Sequence, residues 1–106
     1  DQVANSYGGF QSIKFMRNGS FKVTNLDKDK NYLKSLNERL VLIHTERPKT
    51  ANLIASKYVT KLDDKKEFMD LISQYTSEAK RIIKQKELDN FGILLDKTWS
   101  AKKKNK

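Results

Sequence analysis

Few side chains in this 106-residue chain could do chemistry unaided. His44 is the only histidine and there is no cysteine, so a zinc ion would find one nitrogen ligand and a nucleophile would find no relay. At the end of an apolar run, His44 reads as structural. Asp63 and Asp64 open an amphipathic stretch, where carboxylates accept from unpaired backbone amides, and read as a helix cap rather than a metal pair. The glycines stand at positions 8, 9, 19 and 92, and none forms a phosphate loop. What remains is the opening Asp1-Gln2, followed by Tyr7-Gly8-Gly9. Taken alone, Asp1 is a solvated carboxylate and the glycine pair a turn.

The elements that would carry these residues follow from periodicity. Ile13 and Phe15 alternate with polar residues, as do Phe21 and Val23, and Asn18-Gly19 lies between them, predicting an antiparallel hairpin over 10–26. Asn18 and Gly19 are expected to take positive φ together in a tight turn. Tyr32, Leu33 and Leu36 predict a short helix. Leu40-Val41-Leu42-Ile43 is apolar at every position, as in a strand covered on both faces and central in a sheet. Beyond Pro48 the spacing turns helical. Thr50 is placed to cap a helix whose inner face is Ala51, Ile54, Ala55, Tyr58 and Leu62. Asp64 to Glu67 reads as a capping box, opening a helix with an inner stripe of Phe68, Leu71, Ile72, Tyr75, Ala79, Ile82 and Ile83 that runs to about Lys86. A last helix starts near Asp89, with Phe91, Leu94, Leu95, Thr98 and Trp99 turned inward. The fold class is α+β: a hairpin and a buried strand packed with about three helices, in one segment, strand-rich over 1–47 and helical over 48–106.

Composition narrows the partners. The absence of cysteine excludes a disulfide framework and, with the lysine bias, fits a reducing, cytoplasmic setting. The longest apolar run is four residues, far below a membrane span of about 18, so no membrane partner is expected. The net charge of +9 raises the question of nucleic acid. It is spread evenly: nine basic against five acidic residues up to position 53, and thirteen against eight beyond it. Lys102, Lys103, Lys104 and Lys106 form a basic end. A solvated lysine-rich surface accounts for this distribution, and nucleic acid is an unlikely partner.

The block Asp1-Gln2-x(4)-Tyr7-Gly8-Gly9, leading straight into an alternating strand, resembles the segment of the GHMP small-molecule kinases that carries their catalytic aspartate. A second block supports this. In the heptose-phosphate and fucose kinase branch the buried strand ends in Thr-Gly, followed by a basic residue and Ala at a helix start. Thr45, Lys49 and Ala51 keep that order here, while Glu46 replaces the usual Gly and Lys49 the usual Arg. Phe91-Gly92-x-Leu94-Leu95-x(3)-Trp99-x(2)-Lys102 is similar to a helix of the same branch.

The resemblance implies a partial GHMP-kinase fold. Asp1 would orient or deprotonate the attacking sugar hydroxyl, with Gln2, Tyr7, Gly8, Gly9, Thr45 and Lys49 on the substrate side. Arg offers a phosphate a planar fork and Lys a point charge, so Lys49 would hold a phosphate differently from the family's residue. It further implies ATP and Mg2+ as cofactors of a longer parent and a sugar or sugar-phosphate substrate. The chain would be an excerpt of roughly the middle third, inactive by itself because the glycine-rich ATP loop is missing. Two readings from other classes stand beside it: a small basic nucleic-acid-binding module, and a protein-interaction module in which an open sheet edge pairs with another copy.

Overall fold

The computed structural model describes residues 2–26, 28–48, 50–61 and 63–105. The order of elements is α1 (Gln2–Tyr7), β1 (Gln11–Phe15), β2 (Phe21–Asn25), α2 (Lys30–Arg39), α3 (Ala51–Val59), a 3₁₀ turn (Asp63–Lys65), α4 (Lys66–Gln85) and α5 (Leu88–Lys104). This is an α+β chain, and it divides into two compact units, Asp1–Leu40 and Val41–Lys106.

In the first unit β1 and β2 pair antiparallel, with Gln11 opposite Asn25, Ile13 opposite Val23 and Phe15 opposite Phe21. Ile13 and Val23 are half-buried, while Phe15 and Phe21 stay largely in water and tilt against each other at 6.2 Å. The turn departs from the tight form expected of Asn18-Gly19. The Gly19 amide donates to the Met16 carbonyl and the Met16 amide to Ser20, leaving Gly19 alone at positive φ, 85°. This is the three-residue connection in which an ordinary turn is followed by one left-handed residue. The Asn18 side chain supports it by accepting from the Ser20 amide and hydroxyl at 3.0 and 2.6 Å.

Helix α2 starts because the Asp29 carboxylate accepts from the Tyr32 amide at 3.0 Å, satisfying a donor that the first turn cannot. Tyr32 and Leu36, one turn apart, are its buried face. The Tyr32 hydroxyl is buried without a hydrogen-bond partner among the described residues, and desolvation raises its pKa above the ordinary 10.0.

The second unit rests on α4 and α5. All seven residues of the stripe expected on α4 are buried or half-buried, centred on Phe68 and Ile82, which is 1% exposed. α4 ends where Lys86 adopts a left-handed conformation, φ 60°, and the Glu87 amide reaches back to Ile82 at 3.0 Å. That reversal closes the helix as glycine usually would. α5 begins two residues later, and Lys65 beside the start of α4 donates from Nζ to the Asn105 carbonyl at the end of α5, 2.7 Å. The two helices are therefore antiparallel over their length. At the connecting end, Glu87 accepts from Arg81 at 3.3 Å and from Asn90 at 2.8 Å.

Four expectations are corrected. Leu40–Ile43 is not a buried strand: residues 40–48 have no regular structure, and Leu40, Val41, Leu42 and Ile43 are 49, 82, 100 and 76% exposed. A run apolar on both faces demands neighbours on both edges, and the single sheet of the described residues has two strands, paired only with each other. The Asp64–Glu67 capping box does not form either, because Asp63 to Lys65 coil into the 3₁₀ turn and put Lys65 at the cap with no side-chain bond. On α5, Phe91, Leu94 and Thr98 turn inward but Leu95 and Trp99 remain 49 and 54% exposed, and buried Ala101 completes the inner face. A stripe facing one partner helix is narrower than the face needed for a globular core. On α3, Ile54 and Ala55 are exposed, while Leu62 and the side chains of Ala51 and Tyr58 lie outside the described residues.

Two measurements test this account. Ile82→Ala should lower the stability of the second unit by roughly 2–5 kcal/mol in a denaturant melt, whereas Leu42→Ala should change it by no more than about 0.5 kcal/mol, and amides 41–43 should exchange without protection. Tyr32 is favoured neutral in the folded state, so its contribution is intact below the unfolded pKa and declines as pH rises from 10.0 toward the higher folded value. Melts of the first unit should weaken over that window, and Tyr32→Phe should flatten the dependence without destabilising the unit at neutral pH, since no hydrogen bond is lost.

Candidate functional site

Gln2, Tyr7, Gly8 and Gly9 lie on one continuous stretch. α1 is a six-residue helix held by the Ser6 hydroxyl donating to the Gln2 carbonyl at 2.8 Å and closed by the Gly8 amide donating to Ala4 at 3.0 Å. Gly8 and Gly9 then take φ of 66° and 72°, two consecutive left-handed residues, which side chains bearing a Cβ resist. This reversal sends the chain into β1, as a tight glycine turn between the Gln2 block and the strand should. α1 is tied back onto the hairpin by Gln11 Nε2 donating to the Ala4 carbonyl at 2.9 Å and by Tyr7 meeting Phe21 edge-on at 6.3 Å. Gln2 and Tyr7 are both exposed, Tyr7 at 61%. The side chains of this block are therefore presented to solvent from a fixed turn.

Thr45 belongs to the second unit and is exposed within the irregular 40–48 stretch. Asp1 and Lys49 lie outside the described residues. Next to Thr45, Glu46 has φ of 55°, a left-handed backbone on a side chain that resists it. That is the conformation a glycine would take at little cost. His44 is exposed rather than closed into a core.

Among the described residues no three acidic or imidazole side chains converge as metal ligands. Gly19 serves the hairpin turn and Gly92 lies inside α5, so neither contributes to a cradle for a triphosphate. The resemblance assigns ATP and Mg2+ to a longer parent, and no catalytic step is routed through them.

Two features escaped the sequence reading. A groove of about 280 Å³ runs along the α4–α5 pair, lined by Leu71 and Tyr75 from one helix and Asp96, Lys97, Ser100 and Lys104 from the other. Its charges are mixed, and it contains no paired base and nucleophile. The second is the exposed half of Trp99, with Lys103 Nζ 5.8 Å from the ring centre. Spacing alone put Trp99 inward, and only the narrowness of the helix contact turns it out.

No helix of the described residues is long and apolar enough to cross a membrane. In comparisons with known proteins, the chain matches no family model, no curated protein and no solved structure.

The glycine turn makes a direct test. A Cβ on Gly8 would meet no atom within 4 Å, so Gly8→Ala strains only the backbone. The variant should lose about 1–2 kcal/mol of first-unit stability, read from hairpin amide exchange.

Proposed function

We propose that this chain is the acceptor-side segment of an ATP-dependent sugar or sugar-phosphate kinase of the heptose-phosphate and fucose kinase type. The observation that carries the reading is the Gln2–Gly9 block, which is a short helix, two left-handed glycines and an immediate strand. Such a turn holds a residue at its amino side in a set relation to the strand, which a carboxylate orienting a sugar hydroxyl requires. The left-handed Glu46 beside Thr45 supports the same reading, because its backbone suits the glycine usual in that branch. So does the exposed, irregular Leu40–Ile43, whose composition is that of a central strand and whose sheet neighbours would come from the remainder of a kinase domain.

In this reading Asp1 is the general base or orienting carboxylate, and Gln2, Tyr7, Thr45 and Lys49 face the substrate. The parent works in the cytoplasm, takes ATP with Mg2+ and uses a sugar or sugar phosphate as acceptor. Positioning and charge stabilisation supply most of the catalysis in phosphoryl transfer, so the 106 residues alone, with no phosphate loop, have no turnover.

The test has two arms. With MgATP and aldoses or heptose phosphates, the chain alone should yield no phosphorylated sugar, and turnover by it would refute the segment reading. In a longer polypeptide carrying this segment, Asp1→Asn should lower kcat by about 10²-fold or more with KM little changed, the usual scale of a general-base contribution. An undiminished kcat would remove Asp1 from the mechanism.

A further inference from the structure

We propose that the outward face of α5 is a docking surface for an acidic, amphipathic polypeptide segment. The inward side of this helix is occupied by Leu94, Ala101 and their half-buried neighbours. On the exposed flank beside it Gly92, Leu95 and Trp99 follow at spacings of three and four, one stripe of a helix, and Lys102 and Lys103 continue it. The two large side chains of the stripe are each about half exposed, Leu95 at 49% and Trp99 at 54%. Gly92 opens the stripe without a side chain, and the space around it is open. The stripe is thus a small apolar shelf that ends in a cluster of exposed lysines.

The chemistry of the occupant follows from charge and shape. Lys102, Lys103 and Lys104 fill the last turn, in a chain whose net charge is +9, so the complementary surface is acidic. Leu95 and Trp99, one turn apart, call for apolar side chains at helical spacing, and Trp is among the residue types enriched at the energetic anchors of interfaces. A single nucleic-acid strand fits less well. It would have one ring on the stripe to stack on, and Asp96, seven residues before Lys103 on the same side, would face a backbone charged at every nucleotide. A polypeptide can place its carboxylates at the lysines only.

Trp99 is the only tryptophan, so its emission reports on this surface alone. The probe is a fluorescein-labelled helical peptide with Leu and Phe at i, i+3 and i+7 flanked by Glu, set against a peptide of the same composition with the apolar positions dispersed. The patterned peptide should bind saturably and shift Trp99 emission to the blue, more weakly as salt rises. Trp99→Ala should weaken binding by about 30-fold or more, the scale of an interface anchor. Lys102→Glu with Lys103→Glu should weaken it and remove most of the salt dependence. All three positions are exposed, so helical circular dichroism should be unchanged in the variants. The proposal is overturned by an absence of saturable binding, by equal binding of the dispersed peptide, by binding indifferent to these substitutions, or by tighter binding of an oligothymidine that shifts the same emission.

Discussion

The antiparallel contact of α4 with α5 is the constraint on which the second unit depends. Each helix has one buried stripe, and each stripe is covered chiefly by the other, so neither helix could be lost without leaving the partner's apolar face in water. The pair is pinned at both ends. At one end the chain reverses through the left-handed Lys86, and the Arg81, Glu87 and Asn90 side chains bridge the connection. At the other end, Lys65 donates to the Asn105 carbonyl that caps α5 and offsets the partial negative charge there. The exposed ion pair adds at most about 1 kcal/mol, so burial around Ile82 and Phe68 dominates. A small residue, Ala101, sits where α5 is buried, and a bulkier side chain there would push the helices apart.

The first unit is built from local devices. A two-stranded hairpin is marginal in water, and here it is supported by a side-chain bond and an aromatic contact from α1 and by its own turn hydrogen bonds. Two consecutive left-handed glycines determine how α1 enters the hairpin.

Where the chain passes from the first unit to the second, composition and environment disagree. Leu40 to Ile43 would each gain roughly 1.5–3 kcal/mol from full burial, and they are half to wholly exposed instead. Natural sequences tolerate such a local conflict where another surface resolves it. The kinase reading assigns that surface to the rest of a catalytic domain. The outward face of α5 presents a smaller version of the same conflict, in which apolar Leu95 and Trp99 are set in a strongly basic context.

Much of this organisation was legible in the sequence because it is set by interactions a few residues apart. The Ile13–Val23 alternation defines the hairpin, Tyr32 and Leu36 the face of α2, and the stripe from Phe68 to Ile83 the whole inner side of α4. The glycine reversal at 8 and 9 was readable for the same reason, since only glycine adopts that backbone at little cost. What the sequence could not decide is how much of each apolar face would find a partner. The spacing that places Trp99 and Leu95 beside Leu94 says nothing of how wide the neighbouring helix is, and the four apolar residues from Leu40 describe a strand without supplying its neighbours. Periodicity is a property of the chain, whereas burial is a property of what lies across from it, and only the tertiary structure decided that.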